Sequence, residues 1–248
     1  MKSNPVWRES IDLYFGEGHG FPVYLYLLVI LAPVEFLSLY LPSLDTQTWS
    51  GSASLFRVSA VTALLLLVYF ALRVANQEFV PWRFRPLRYW LRDQGQTSVA
   101  VSRAQVYFLL AHIAFSLLLC APFLIWAGAI ARTPLASIAV TLALLPFYAL
   151  VYGVWGLATL ALWERRLESR QVFIRSFFVG LVILSALFYL PLNPVAFLLA
   201  FLSRQELPPL VLFGRPWAGL HVHLAYHFVL GATGYALHRW ALGREPIF

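Results

Sequence analysis

The stretch Pro81–Val106, PWRFRPLRYWLRDQGQTSVAVSRAQV, is the longest polar segment between strongly apolar runs in this chain. On a helix that turns about 100° per residue, its apolar side chains fall on one face: Phe84, Leu87, Trp90 and Leu91. Three arginines and a tyrosine fall on the opposite face: Arg85, Arg88, Tyr89 and Arg92. The spacing therefore predicts a short amphipathic helix with a cationic face, lying on a surface.

The flanking residues predict where this helix starts and stops. Pro86 fits only the first helical turn, because proline lacks the backbone N–H that is needed further along. Gly95 offers a stop, and Ser102 is an acceptable N-cap for a second helix. Two interpretations of the first helix stay open at this point. It is either a juxtamembrane segment resting on anionic lipid headgroups or a docking element for a cytoplasmic partner.

The composition is that of an integral membrane protein. Of the 248 residues, 60% are hydrophobic and 12% are charged, whereas soluble domains carry about 25% charged residues. The net charge of +7 comes mainly from arginines beside apolar runs, which favours cytoplasmic loops over nucleic-acid binding. Cys120 is the only cysteine, which excludes an intrachain disulfide and a cysteine-based metal cluster.

Long apolar runs predict an all-α fold with six transmembrane helices in a single domain, residues 1–248. The predicted spans cover residues 21–41, 55–79, 104–131, 134–163, 172–190 and 220–242. Small residues in the fourth span, Gly153 and Gly156, predict close packing against a neighbouring helix. No stretch between the spans is long enough to fold as a second domain.

Two shorter elements accompany the spans. Residues 3–15 carry an apolar stripe with charged residues off it, which predicts an interfacial N-terminal helix. After the fifth span, the sequence PLNP at residues 191–194 breaks the helix. Residues 195–202 are too short to cross a bilayer, so they predict a short outer or re-entrant helix. The stretch 203–219 then reads as an irregular connection.

Six spans place both termini on one side of the membrane, and the basic residues indicate which side. Fourteen of the eighteen Lys and Arg residues fall on the side of the termini and of the Pro81–Val106 stretch. By the positive-inside rule, that side is the cytoplasm.

Three stretches, taken in order, carry a family resemblance: NPVWRES (4–10), RDQGQTSVAVSRAQV (92–106) and LNPVAFLLAFL (192–202). They are similar to the N-terminus, to the segment E-x-G-T-hydrophobic…P-hydrophobic-S-R-x-x-hydrophobic after span 2, and to the L-N-P stretch after span 5 of one family. That family is the permease subunit of ABC-2 type ATP-binding cassette exporters. The chain departs from its pattern at Ala100, where proline is common, and at Gln96, which intrudes before Thr97.

The resemblance implies that residues 84–97 form a coupling helix seated in a groove of a separate ATPase subunit. The implied ATPase-coupling residues are Arg85, Arg88, Tyr89, Arg92, Asp93, Gln94, Gln96 and Thr97. The resemblance also implies a bacterial inner-membrane location and pairing with a second copy or a homologous permease. Periplasmic accessory subunits are further partners to consider. Drugs, lipids, polysaccharides, peptides and ions all stay open as exported substrates.

The chain contains no G-x-x-x-x-G-K-[ST] sequence, so it lacks the usual P-loop for ATP. We therefore expect a chain that is not an enzyme and binds no cofactor of its own. ATP and Mg²⁺ would bind the partner ATPase. A Ser-His-Asp grouping with a recognisable nucleophile elbow is also missing from the sequence.

Glu35 is the most unusual polar residue inside a predicted span. A carboxyl within a membrane is costly and often faces a partner or a cavity. It could contact a cationic or hydroxylated substrate, or hold a proton. The alternative is a structural role near the outer interface, with Arg57 or a hydroxyl as its partner.

Three histidines in the predicted spans suggest an alternative function. His223 and His227 are four residues apart, on one helical face, and His112 lies in the third span. Such residues could ligate a metal or heme, which would make the chain a heme- or quinone-associated membrane anchor. The simpler interpretation is that histidines near the outer end of a span form hydrogen bonds with water and the backbone, and that the chain has no metal site.

Overall fold

The structure, a computed structural model, describes residues 4–40, 51–188, 192–212 and 214–244. Its α-helices are α1 (Pro5–Ile11), α2 (Phe21–Tyr40), α3 (Gly51–Ala75), α4 (Ser98–Ile130), α5 (Leu135–Leu162), α6 (Leu167–Phe188), α7 (Pro194–Leu202) and α8 (Gly219–Leu242). Two π-helical turns cover Asp12–Gly16 and Tyr89–Asp93. A short antiparallel hairpin pairs β1 (Leu210–Leu212) with β2 (Arg215–Trp217).

Among the described residues, five helices are long and apolar enough to cross a membrane. They are α2 to α6, through Phe21–Leu39, Ser54–Ala75, Ser98–Ile130, Leu135–Leu162 and Leu167–Leu187. Large apolar side chains such as Leu25, Val29 and Leu118 are exposed on them, as a lipid-facing surface requires. The chain is therefore an all-α, multi-pass membrane protein. Helix α8 has 24 residues but a lower share of apolar ones, so the sixth span stays a prediction.

Helix α3 is the centre of the bundle. It packs against α2, α4 and α5, and most of its apolar central part is buried. Helix α5 approaches it closely because Gly156 has no side chain. A Cβ built on Gly156 would lie 2.9 Å from Ala75 Cβ and would also meet the carbonyl oxygen of Leu72. The predicted close packing of the fourth span is confirmed at this contact.

Helices α5 and α8 run in the same direction, side by side. Tyr148 contacts His223, and one turn later Tyr152 contacts His227. Further along, the indole Nε1 of Trp155 donates to the carbonyl of Leu230 at 3.2 Å. The two helices therefore finish at the same end of the bundle.

That end is held together by a separate apolar cluster. Its buried members come from α1, the polar stretch before α4, and the adjoining ends of α4, α5 and α8: Val6, Leu87, Trp90, Val101, Ala104, Leu160, Ala161, Ala241 and Leu242. The side-chain Nδ2 of Asn4 donates to the Ala100 carbonyl at 2.8 Å, which ties the first described residue to α4. The carbonyl of Arg244, the last described residue, accepts from Arg88 at 2.5 Å. Both described ends of the chain thus lie at this end of the bundle, called the basic end below.

Several predicted boundaries were wrong. The second span was predicted to reach residue 79, but α3 ends at Ala75 because Gln77 adopts a left-handed conformation with φ of 55°. Ser102 was predicted to cap the next helix, yet it is buried inside α4. Thr97 is the N-cap instead, since its Oγ1 accepts from the Ala100 amide at 3.2 Å. The third span therefore continues a helix that starts at Ser98, before the predicted residue 104.

The polar stretch before the fifth span was also misjudged. Helix α6 begins at Leu167 rather than near residue 172, so Arg170 lies on this helix and not before it. A short helix, α7, follows α6 at the predicted place in the sequence, and its N-cap Asn193 accepts from the amides of Val195 and Ala196. Its outer or re-entrant position in a membrane stays a prediction. The connection after it was predicted to be irregular, but it contains the β1–β2 hairpin.

Candidate partner-docking surface and buried polar sites

Residues 84–97, called the basic segment here, form a short helical turn between two loops. The helical part covers residues 87–93, immediately after Pro86, and ends in the π-helical turn Tyr89–Asp93. Gly95, with φ of 60°, turns the chain back, and the Gln96 amide donates to the Trp90 carbonyl at 2.8 Å. The prediction of one helix over residues 84–97 was therefore too long, because Pro86 and Gly95 limit it at both sides.

The apolar face of the basic segment is buried, as its spacing predicts. Phe84, Leu87 and Trp90 are each less than 10% exposed, and Leu91 is half-buried. The Phe84 ring packs against Tyr14, with ring centroids 5.9 Å apart. The predicted interfacial N-terminal helix is therefore not only a surface element, since α1 and the turn after it cover this segment.

Two carboxylates fix the backbone of the basic segment. The Glu9 carboxylate of α1 accepts from the Arg85 amide at 3.3 Å and lies 3.7 Å from the Arg85 Nε. The Glu164 carboxylate, just after α5, accepts a hydrogen bond from the Leu87 amide. Burial raises the pKa of both carboxyls above the usual value of 4.5, and these hydrogen bonds oppose the rise. The segment is thus attached to α1 and to the end of α5.

The opposite face of the basic segment is polar and open. Five of the eight predicted ATPase-coupling residues are exposed: Arg85, Arg92, Asp93, Gln94 and Thr97. The other three are half-buried: Arg88, Tyr89 and Gln96. The structure brings Arg85, Tyr89 and Gln94 together, because the Tyr89 hydroxyl accepts from Arg85 Nη1 and Gln94 Nε2, each at 3.0 Å. Thr97 has a local structural role as the N-cap of α4.

Beneath this surface lies a cavity of about 190 Å³ that sequence reasoning missed. Four of its lining residues are arginines, Arg85, Arg88, Arg165 and Arg170, with Glu164 beside them. Arg170 is 4% exposed, and its Nη1 donates to the Asn76 carbonyl at 3.3 Å. The signal was present in the run of arginines after α5, but a charge run usually indicates a solvated loop.

Glu35, the predicted in-membrane polar site, is 1% exposed on α2. It lines a groove of about 520 Å³ with Ala32, Phe36, Pro122, Phe123 and Trp126, which we call the α2–α4 groove. Within the described part of the chain, neither carboxylate oxygen has a hydrogen-bond partner. Ser59 faces the carboxyl from α3, but its hydroxyl does not reach hydrogen-bond geometry.

The predicted partner of Glu35 is elsewhere. Arg57 is half-buried on α3, and among the described residues no ion pair joins it to Glu35 within 4.0 Å. Arg73, near the end of α3, does form an ion pair: its Nε lies 2.9 Å from the Oε2 of Glu78, which follows the helix. The suggestion of a Glu35–Arg57 pair was therefore wrong.

The three candidate histidines are buried, and each faces a tyrosine. His223 Nε2 lies 2.5 Å from the Tyr148 hydroxyl, and His227 Nε2 lies 3.4 Å from the Tyr152 hydroxyl. We call these four residues the α5–α8 seam. Because His227 Nδ1 lies 2.9 Å from the His223 carbonyl, that nitrogen carries the proton and Nε2 accepts from Tyr152.

His112 points elsewhere, to a third tyrosine. Its Nδ1 lies 3.0 Å from the Tyr24 hydroxyl of α2. In the ranges that the structure describes, no three His, Cys, Asp or Glu side chains are grouped as a metal ion would need. Sequence spacing placed His223 and His227 on one face correctly, but it did not reveal their tyrosine partners.

No protein-family model, curated protein or solved structure matches this chain significantly.

Proposed function

We propose that this chain is the permease subunit of an ABC-2 type exporter, driven by a separate ATPase that binds the basic segment. The observation that carries the proposal is the division of that segment into two faces. Leu87 and Trp90 are buried in the cluster with α1, α4, α5 and α8, and Phe84 is buried against Tyr14. Arg85, Arg92 and Asp93 are exposed. A surface fixed to the bundle and presenting charge is suited to transmit a partner's movement.

The topology that goes with this function has six spans. Helix α8 runs parallel to α5, which is itself apolar and long enough to cross a membrane. At about 1.5 Å per residue, its 24 residues extend roughly 36 Å. Its five polar or charged His and Arg residues are tolerable in a span where they face α5 or lie near an interface. Six crossings also agree with both described chain ends lying at the basic end.

The basic end faces the cytoplasm of a bacterial inner membrane in this proposal. Most Lys and Arg residues belong to it, which follows the positive-inside rule. ATP and Mg²⁺ bind the partner ATPase, and a second copy or homologous permease completes the assembly. Accessory periplasmic subunits would meet α7 and the β1–β2 hairpin at the opposite end.

The mechanism assigns the basic segment the role of a lever. Closure of paired ATPases would shift the segment, and the buried cluster would carry that shift to the ends of α4, α5 and α8. Attachment through Glu9 and Glu164 keeps the segment moving together with α1 and α5. Rigid-body movement of packed helices is the usual way in which a local shift becomes a change of access.

A crosslinking experiment tests where the partner binds. Cys120 is buried, so a new exposed cysteine is the accessible thiol in a single-substitution variant. Asp93→Cys places it on the basic segment, and Leu135→Cys places it on an exposed residue at the opposite end of α5. Both variants are treated in native membranes with a crosslinker that carries a thiol-reactive maleimide at one end and an amine-reactive ester at the other, and adducts are identified by mass spectrometry.

We expect Asp93→Cys to crosslink to a protein with a P-loop, at a yield about tenfold or more above that of Leu135→Cys. Equal yields from both positions would contradict the docking assignment. Adducts of Asp93→Cys that contain lipid alone would favour the membrane-resting interpretation of the basic segment instead.

A further inference from the structure

The α2–α4 groove holds a buried carboxyl group that the proposed coupling function does not use. Glu35 is 1% exposed, and within the described residues both of its oxygens lack a hydrogen-bond partner. Natural proteins rarely leave such a group unsatisfied, because removing it from water without a compensating hydrogen bond destabilises the fold, most of all when the group is charged. An unpartnered carboxyl that lines a groove points to a donor supplied from outside the chain.

The neighbours of Glu35 do not supply that donor. Ser59 and Cys120 face the carboxyl from α3 and α4, but the Glu35 oxygens accept no hydrogen bond from either side chain, and neither side chain is a cation. Arg57, the nearest arginine in sequence on α3, makes no ion pair with it among the described residues. In the part of the chain that the structure describes, the Glu35 carboxyl therefore has no basic side chain to balance its charge.

The walls of the groove select the chemistry of the ligand. Three of the six described residues that line it are aromatic: Phe36, Phe123 and Trp126. Aromatic faces attract cations through the ring quadrupole, and tryptophan does so most strongly. A carboxylate surrounded by aromatic rings is a combination that suits an ammonium group, which also donates charge-assisted hydrogen bonds.

The surroundings of the groove select the shape of the ligand. Phe36 is 59% exposed and Trp126 is 45% exposed, on two helices that are apolar enough to lie in a membrane. The groove is thus open along the side of the bundle, where lipid chains would lie. Its volume of about 520 Å³ falls within the usual range for a small-molecule site, about 300–1,000 Å³.

We propose that the α2–α4 groove binds an amphiphile with a primary ammonium head and an alkyl chain. Side chains of the groove wall move aside to uncover the Glu35 oxygens, which are shielded from the groove in this structure. The ammonium then donates to these oxygens and lies against the Trp126 ring, and the alkyl chain leaves along the apolar wall of Pro122 and Phe123. The site lies outside the basic segment and forms within one chain, so it does not depend on the proposed ATPase.

Dodecylammonium is the probe that tests the site, with dodecanol as its neutral counterpart. Both are titrated below their aggregation concentrations into the purified full-length chain in a sugar detergent, with binding followed by calorimetry. The variants are Glu35→Gln, which keeps the size of the side chain but loses the charge, and Glu17→Gln. The second is the matched control because Glu17 is exposed and lies outside the groove.

We expect saturable binding of dodecylammonium that weakens about tenfold or more in Glu35→Gln and is unchanged in Glu17→Gln. Dodecanol should bind the unaltered chain at least about tenfold more weakly than dodecylammonium. This second comparison needs no variant, so it holds even if Glu35→Gln disturbs folding. Absence of saturable binding, equal affinities for the two probes, or full affinity in a folded Glu35→Gln chain would each overturn the proposal.

The result is independent of the coupling proposal, since no ATPase is present in the assay. Failure to bind dodecylammonium would leave the crosslinking experiment at Asp93 unaffected. Failure of the crosslinking would in turn leave the α2–α4 groove as a binding site on a membrane protein of another class.

Discussion

The α5–α8 seam and the α2–α4 groove both place ionisable side chains in apolar surroundings, but only the seam gives these side chains hydrogen-bond partners. In the seam, His223 and His227 each face a tyrosine hydroxyl, at 2.5 and 3.4 Å. His227 also contacts a backbone carbonyl at 2.9 Å. In the groove, Glu35 has no hydrogen-bond partner among the described residues, although it is just as buried.

This difference separates structural polar groups from candidate binding groups. A buried polar pair that satisfies itself contributes to holding two helices in one register. A buried carboxyl without a partner costs stability and persists for another reason. The seam is therefore assigned to architecture, even though its histidines looked like metal ligands, and the groove is assigned to ligand binding.

The largest expected effect comes from moving α5 away from α3, because the seam depends on the position of α5. Gly156→Leu would place a side chain where even a Cβ meets Leu72 and Ala75. Overpacking of this kind typically costs about 1–3 kcal/mol and occasionally more, so we expect about 3 kcal/mol here. The measurement is unfolding in mild detergent, monitored by circular dichroism.

Gly180→Leu on α6 is the matched control, because a Cβ there meets nothing within 4 Å in the described structure. We expect it to change the free energy of unfolding by less than about 0.5 kcal/mol. An equal loss of unfolding free energy in the two variants would contradict the claim that the α3–α5 contact requires a glycine at position 156.

An intermediate effect distinguishes the seam from the groove directly. Tyr148→Phe removes the hydroxyl that faces His223, and we expect a loss of about 0.6–2 kcal/mol in the free energy of unfolding. Glu35→Leu removes an unpartnered carboxyl, so its free energy of unfolding should be unchanged or higher. Tyr235→Phe, at an exposed position of α8, is the control for loss of a tyrosine hydroxyl. If Tyr148→Phe leaves stability unchanged and Glu35→Leu lowers it, then Glu35 has the structural role and the seam does not.

The smallest effect concerns Glu164, which is half-buried and, unlike Glu35, accepts a hydrogen bond within the chain. Burial raises its pKa above 4.5, so the folded chain binds the proton more readily than the unfolded chain. Its contribution to stability is therefore complete below about pH 4.5 and is lost as the pH rises through the folded pKa. Glu164→Gln still accepts from the Leu87 amide but does not titrate, so the decline with rising pH should become shallower.

The measurement is the midpoint of thermal unfolding between about pH 4.5 and pH 7.5 for both chains. Part of the decline should remain in Glu164→Gln, since the pKa of Glu9 is raised in the same direction by burial. Glu17→Gln, which changes an exposed carboxyl, should keep the whole slope. Identical slopes in the unaltered chain and in Glu164→Gln would contradict the assignment of a raised pKa to Glu164.

Periodicity was a good guide wherever one helix face decides burial. It placed Phe84, Leu87 and Trp90 on the buried side of the basic segment, and it put His223 and His227 on one face. Contacts between distant elements were beyond its reach. Tyr148 and His223 are 75 residues apart, and the matching four-residue spacing of Tyr148/Tyr152 and His223/His227 is visible only when α5 and α8 are known to lie side by side.

Boundaries failed where a polar residue has a local structural role. Thr97 caps α4, whereas Ser102 is an equally good cap by type and lies one turn too late. Arg170 resembles a loop residue in sequence but is buried on α6, where its guanidinium donates a hydrogen bond to a backbone carbonyl. The sequence offers two possible N-caps in the first case, and a loop or a helix in the second. Their propensities are similar, so tertiary packing decides between them.

The central claim is that this membrane protein works with a separate ATPase held at the basic end. The most direct test is purification of the unaltered chain from its native membranes in mild detergent, with mass spectrometry of everything that remains bound. We predict a soluble P-loop protein in stoichiometric amount, retained or enriched when a nucleotide is present. A preparation without any P-loop protein, coloured by heme with a Soret absorbance band, would contradict the claim and return the function to His112, His223 and His227.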